Sequence, residues 1–328
     1  MRKIVLVTLF LIAAGCLSVH AAEADGGYAG AFLQVPAGAR PTAMGGAYLA
    51  VSDDGAAPLF NPAGLANLQR PLFGTSYRVM QLDRVLGYAT IAFPIQGQSA
   101  LGVHWLYAGS GSVEARDSDG YPLGWDINQA NHQFAIVFAK RFERYLALGT
   151  NICYLHSAMA DMTAFSVGFD FGAILYVDQL VDRSKRDQMP VRDIKIGLTM
   201  KNISKRYKWH NGDYNSEHTA NRNLDREIED KVPLEIGIGV SARFLERKLL
   251  LASDLLKNLE QTPEFHAGAE YFLRPEFALR AGFSDGRMTA GTGYLFKIGK
   301  HLLAINYAFT TDKADEGSEH IFSFDLLH

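Results

Sequence analysis

Between Leu72 and Leu327 the chain alternates apolar and polar positions with a period of two. Leu234, Ile236, Ile238, Val240, Ala242 and Phe244 alternate with Glu235, Gly237, Gly239, Ser241 and Arg243. Phe165, Val167, Phe169, Phe171, Ala173 and Leu175 do the same with Ser166, Gly168, Asp170 and Gly172. Successive side chains of a strand point to opposite faces, so each run offers one face to lipid or core and the other to water. Runs of this kind predict about fourteen strands, near 72–79, 84–94, 98–108, 131–142, 144–157, 163–178, 191–203, 231–245, 247–257, 263–274, 276–284, 287–298, 300–310 and 318–327. An even count suits a single-chain bacterial outer-membrane barrel.

The joins are tight at Glu143-Arg144, Glu246-Arg247 and Arg274-Pro275, and longer and polar at 109–130, 179–190 and 204–230. This predicts short turns on one rim and long loops on the other. A soluble β-sandwich or soluble barrel has the same period. Strands longer than the usual five or six residues, and aromatics towards strand ends (Trp105, Tyr107, Tyr154, Tyr176, Phe309), favour the membrane barrel.

The first residues agree with export. Arg2 and Lys3 precede an apolar run from Ile4 to Ala14, and Val19-His20-Ala21 precedes Ala22, which predicts a secretory signal peptide over 1–21. A lipoprotein reading, with Cys16 as the lipidated first residue, ranks second. Once the leader is gone only Cys153 remains, so no intramolecular disulfide is available. A formal net charge of -3 gives no basic footprint, and nucleic acid is not expected as a partner. Beyond the leader no apolar run reaches the ~18 residues of a transmembrane helix.

Residues 22–70 precede the strands and 71–328 form the expected barrel. Met44, Ala47, Tyr48 and Val51 recur at helical spacing with Pro41 placed early, predicting a short helix that Asp53, Asp54 and Gly55 stop. Asn61-Pro62 predicts a turn and an N-cap for a second short helix starting PAGLANL. Gly45 and Gly46 would let this segment pack closely within something larger.

The run GARPTAMGGAYLAVSDDGAAPLFNPAGLA resembles the amino-terminal signature of the PorV/PorQ family, outer-membrane barrels related to the FadL-type transporters of hydrophobic compounds. The resemblance implies that Asn61, Pro62, Ala63 and Gly64 belong to a hatch plugging a fourteen-stranded barrel. In such a barrel the inward set includes Arg78, His104, Asp170, Glu235, Arg243, Asp254, Glu270, Arg280, Asn306 and Asp325. Interior charges need partners, so both signs on one face predict paired networks. Asp53 and Asp54 are expected to anchor the hatch to an inward Arg such as Arg280 or Arg243, between which the sequence does not choose.

Two functions follow. In the first, a hydrophobic small molecule enters from the loop side, meets Phe32, Met44, Leu59 and Phe60, and leaves when the hatch shifts. In the second, a type IX secretion accessory holds exported protein clients; the NPAGL run favours the first. Outer-membrane lipid is the expected surrounding. A lipid hydrolase ranks third: His156, Ser157 and Asp161 supply the residue types of a triad, but triads are recognised by geometry and these are common residues near a turn. His132, His210, His218 and His320 show no metal-ligand spacing. No catalytic residue, metal or cofactor is assigned.

Overall fold

The computed structural model describes residues 28–117, 119–159, 162–182, 184, 189–210, 228–284, 286–311 and 317–328. The leader with Cys16, Asp161 and His218 lie outside the described residues.

The strands are β1 (Leu72–Val79), β2 (Val85–Ile95), β3 (Ser99–Gly109), β4 (Val113–Arg116), β5 (Pro122–Ile127), β6 (Gln129–Phe142), β7 (Leu146–Met159), β8 (Met162–Tyr176) and β9 (Arg192–Ile203). They continue with β10 (Arg206–His210), β11 (Ile228–Lys231), β12 (Glu235–Phe244), β13 (Leu249–Asn258), β14 (Glu264–Arg274), β15 (Phe277–Ser284), β16 (Arg287–Ile298), β17 (His301–Thr311) and β18 (Ser318–Leu327). Neighbours pair antiparallel, and β1 pairs with β18 from Leu72↔Leu327 to Val79↔His320, which closes the ring. β4 and β5 form a separate hairpin. β8 pairs with β9 and then, past a register shift, with β10, so β10 and β11 prolong β9 and β12. The ring among the described residues is therefore fourteen strands around, as the alternation predicts.

The apolar face of each strand points outward. On β6, Ile136 is 53% exposed while its neighbours Ala135 and Val137 are 5% and 0%. Phe73, Ile91, Val103, Trp105, Phe134, Ile152 and Val167 are likewise exposed, whereas Ser76, Arg78, Thr90, His104, Asn151 and Asp170 are buried. This inside-out distribution suits a barrel surrounded by hydrocarbon.

Three expectations are corrected. The 179–190 join does not share the rim of 109–130 and 204–230. β8 runs towards the rim of the tight turns, where Tyr176 N–H donates to Tyr145 O at 2.8 Å, so strand parity, not loop length, sets the rim. In addition, 109–130 and 204–230 are not plain loops, since they carry β4–β5 and β10–β11. The helix expected through Val51 is only Ala39–Ala43. Gly45 (φ 65°) and Gly46 (φ 81°) end it in the left-handed region, well before Asp53. A further turn of helix spans Ala57–Phe60, and Pro62–Asn67 is a 3-10 helix.

Replacing Ile136 by Arg should destabilise the barrel in phospholipid vesicles by about 2–4 kcal/mol, the scale for a cation on the lipid face near the midplane. Equilibrium denaturant titration of the vesicle-inserted protein checks it, and an unchanged midpoint would contradict the assignment of faces.

Candidate functional site

The segment Ala31–Asn67 lies within the ring, and Ala39, Ala43, Met44, Ala47 and Tyr48 are fully buried. Its docking centres on Arg40. Nε and Nη2 donate to Glu270 Oε1 and Oε2 at 2.8 and 2.9 Å, a bidentate pair with β14. Nη1 donates to the Tyr48 hydroxyl at 2.9 Å and to Asp53, and reaches Asp54 Oδ2 at 3.4 Å. Tyr48 O–H donates to Asp54 Oδ2 at 2.6 Å. Beyond Glu270, Arg280 donates to Glu270 Oε1 at 2.7 Å and to Asn306 Oδ1 at 2.9 Å.

The expected anchor is thereby revised. The first partner of Asp53 and Asp54 is Arg40 of their own segment. Arg243 stands 3.9 Å from Asp53, and Arg280 enters only through Glu270. The reason is proximity along the chain: Ala39–Ala43 and the Asp53-Asp54 turn face each other, so the guanidinium bridges them before it meets the wall. Burial pushes the Asp53 carboxyl up, but Arg40, Lys195 and Arg243 more than reverse this and hold it at about 2. Its folded pKa is depressed, so its contribution to docking is present above the ordinary carboxylate range and is lost as pH falls through about 2. With the side chain 32% exposed, that contribution is screened.

Backbone groups of the segment are received by inward side chains. Asp254 Oδ2 accepts from Tyr48 N and Leu49 N at 2.5 and 2.8 Å, which holds the chain where a helix would otherwise have continued. His266 Nδ1 donates to Gly45 O at 2.7 Å. Asn61 caps the 3-10 helix by accepting from Ala63 N at 3.1 Å, while its Nδ2 donates to Leu49 O at 2.8 Å and Ala173 O at 3.0 Å. Pro62 and Ala63 lie against Gly149 of β7, and Gly64 against Ser52. At Gly45 a side chain would start 2.5 Å from the Phe283 backbone, and at Gly46 it would start 2.9 Å from His266.

Of the other inward charges, Arg78, Asp170 and Glu235 have opposite-charge partners, while Asp254 and Asp325 are not ion-paired among the described residues. Arg78 binds Glu319 and donates to Pro36 O at 2.9 Å. Asp170 accepts from Lys205 at 2.9 Å and from Asn202 N at 2.9 Å, and Glu235 faces Lys201 at 3.1 Å. Asn202 (φ 65°) and Ser204 (φ 61°) bend the chain between β9 and β10, and the bend places Lys205 in the lumen. Asp325 borders a crevice of about 10 Å³ with Asp54, Ser76, Tyr88 and Ser323.

On the long-loop side, a cavity of about 80 Å³ separates the segment from the wall. Leu33, Val35, Leu59, Phe60, Leu106 and Leu256 supply its apolar lining. Two of the four expected ligand contacts, Leu59 and Phe60, line it. Phe32 and Met44 do not: Phe32 packs on Leu86, Tyr88 and Leu106, and Met44 packs with Tyr48, Val51, Leu250 and Ala252. His156 and Ser157 are successive strand residues on opposite faces, and Ser157 Oγ donates to Asn131 Oδ1 at 2.7 Å, so they do not form a catalytic pair. Among the described residues no group of three or more His, Cys, Asp or Glu is placed to hold a metal ion.

Sequence reasoning missed Arg40, Tyr48 and the cavity. A signal for Arg40 was available, because it is the only basic residue between Tyr28 and Gln69, where Asp53 and Asp54 are the only acids.

No family model and no curated protein matches the chain. Among solved structures, a FadL homologue of Pseudomonas aeruginosa superposes with a TM-score of 0.57 at 11% identity, covering 89% of this chain and 98% of its own. The CymD monoaromatic hydrocarbon channel gives 0.59 at 12% identity over 89% and 96% of the two chains. The toluene transporter TbuX of Ralstonia pickettii gives 0.58 at 12% identity over 89% and 98%. At these identities the likeness is one of fold: this chain is an antiparallel β-barrel of the FadL-like architecture.

Substituting Asn61 by Ala strands Ala63 N, Leu49 O and Ala173 O in a buried setting, at an expected cost of about 2–4 kcal/mol to local docking. Native-state hydrogen exchange should show faster exchange over 57–67 with the strand amides unchanged. Equal exchange in that segment would remove Asn61 from the docking account.

Proposed function

We propose that the chain is an integral outer-membrane barrel of PorV/PorQ type that passes hydrophobic small molecules, with 22–70 as a hatch that controls passage and performs no chemistry. The observation carrying this reading is the ring filled by Ala31–Asn67, with a partly apolar cavity above it on the long-loop side. Two of the proteins that share the architecture are a monoaromatic hydrocarbon channel and a toluene transporter. In this reading the long-loop rim faces outward, a ligand settles against Leu59 and Phe60, and it leaves when the Arg40 network and the Asn61 cap give way. Outer-membrane lipid surrounds the apolar exterior.

One observation favours the second reading, a secretion accessory that binds exported proteins. The β4–β5 hairpin exposes Val113, Tyr121, Leu123 and Trp125, a surface that an extended client could cover. The filled lumen has no part in such a role, which is why transport is placed first.

The test uses cells with an intact lipopolysaccharide layer and a hydrophobic fluorescent probe. Expressing the wild-type chain should raise uptake above that of cells lacking it, and deleting Arg40–Leu65 should add conductance to small ions in planar bilayers. Wild-type uptake no greater than that of control cells would overturn transport. Equal conductance of intact and deleted proteins, both shown to be folded, would overturn the hatch.

A further inference from the structure

At the rim of the tight turns, the seam where β16, β17, β18 and β1 meet gathers basic groups on the outer surface. Arg70, just ahead of β1, and Lys300, in the β16–β17 turn, are both exposed, and Arg70 Nη1 donates to Lys300 O at 3.1 Å. Lys300 Nζ is 3.4 Å from His328 Nε2, and His328 Nδ1 is 3.0 Å from His301 Nδ1. An ammonium only donates, so His328 Nε2 is an acceptor and its Nδ1–H donates to His301, which keeps its own Nε2–H for an outside partner. Lys300 and His301 hold His328 below the ordinary histidine value, in keeping with a neutral ring at that place.

These cations lack counter-charges. At the β6–β7, β12–β13 and β14–β15 turns an arginine has an acid beside it: Glu143 precedes Arg144, Arg247 is 3.2 Å from Asp193, and Glu276 follows Arg274-Pro275. The four strands of the seam carry Glu319 and Asp325 as their acids, and both are buried on the lumen side. Among the described residues neither Arg70 nor Lys300 is ion-paired, and the carboxylate that ends the chain at His328 pairs with neither.

The wall next to the cluster is apolar and faces outward. Ile298 pairs with His301, Leu303 with Leu326, and Leu326 with Phe73; Ile298, Leu326 and Phe73 are exposed. Unpaired cations and a free N–H at the end of a hydrocarbon-facing stripe suit an amphiphile with an anionic head. A free phosphate would use the cations and leave the stripe. A zwitterionic head would bring its ammonium towards cations that have no acid to receive it.

We propose that this seam binds an anionic phospholipid, its phosphodiester held by Arg70, Lys300 and His301 Nε2–H and its acyl chains lying along Ile298, Leu326 and Phe73. The site rests on the reading of the chain as a membrane-embedded barrel, and it sets the rim of the tight turns at a phospholipid headgroup layer.

The experiment is native mass spectrometry of the full chain in non-ionic detergent, titrated with phosphatidylglycerol, phosphatidylethanolamine and phosphatidylcholine of identical acyl chains. One base at a membrane surface is worth about fivefold, so phosphatidylglycerol should bind about 25-fold tighter than the zwitterionic lipids at low salt, and less so as salt is raised. The double variant R70Q/K300Q should bring it within about twofold of phosphatidylethanolamine. R144Q/R274Q, which removes the same charge from turns that hold acids, should leave it unchanged, and glycerol 1-phosphate in excess should not displace it. Equal binding of the three lipids would overturn the site, as would equal losses in the two double variants, which would mean diffuse charge. Displacement by glycerol 1-phosphate would reassign the cluster to free phosphate and overturn the lipid. Should R70Q/K300Q fail to fold, K300Q alone should weaken phosphatidylglycerol about fivefold, and no change in it would overturn the site. A chain that needs detergent yet shows no lipid preference contradicts this site alone; one that stays soluble without detergent and retains no lipid contradicts the membrane reading.

Discussion

A guanidinium enclosed within the lumen, its side chain 11% exposed, is the constraint around which the inner structure is arranged. Arg40 cannot be neutralised, so enclosing it requires fixed counter-charges and acceptors in its own plane. Asp53 and Asp54 provide them from within the segment, Glu270 provides the bidentate face from the wall, and Arg280 and Asn306 hold Glu270 in turn. Removing one member of such a group leaves an uncompensated interior charge, on the order of 3–5 kcal/mol. The segment is therefore tied to a particular height and azimuth in the barrel. Its other contacts, from Asp254 to Leu49 N and from Asn61 to Ala173 O, follow from that placement.

The wall is built to receive it. Inward positions at Gly149, Gly197, Gly268 and Gly291 lie against Pro62, Leu49, Met44 and Ala43 respectively, where a side chain would displace the segment. The glycines of the wall let it meet the backbone of the segment at Pro62, Leu49 and Met44. A cavity remains where Leu33–Ala37 crosses towards the loop side and the β9–β10 bend turns Lys205 inward. The cavity and the Lys205–Asp170 and Lys201–Glu235 pairs lie at that level, which couples the shape of the hatch to the chemistry of the site.

The barrel was readable in the sequence because a strand with lipid on one side and a packed polar lumen on the other must alternate, and here Phe165–Ala173 and Leu234–Phe244 do so without a break. Rim assignment failed for 179–190, since loop length is a correlate and strand parity is the cause. The helix was misread for a related reason. Met44, Ala47, Tyr48 and Val51 have helical spacing, yet all sides of this segment are buried, so periodicity carries no information about a face. The glycines at 45 and 46 and the pull of Asp254 decide the backbone instead. Asn61-Pro62 was read correctly because its cap is local. The cavity was not readable, because it joins residues from Leu33 to His266 that only closure of the ring brings together.

The central claim is that Arg40 and Glu270 act as one unit holding the segment in the lumen. A double-mutant cycle with Arg40→Met, Glu270→Gln and the pair, read as the opening free energy of amides 39–67 by native-state hydrogen exchange, tests it most directly. The account predicts a coupling of at least about 1.5 kcal/mol, within the range for residues of one ion-pair network. Additive effects, with the barrel folded in all variants, would contradict it.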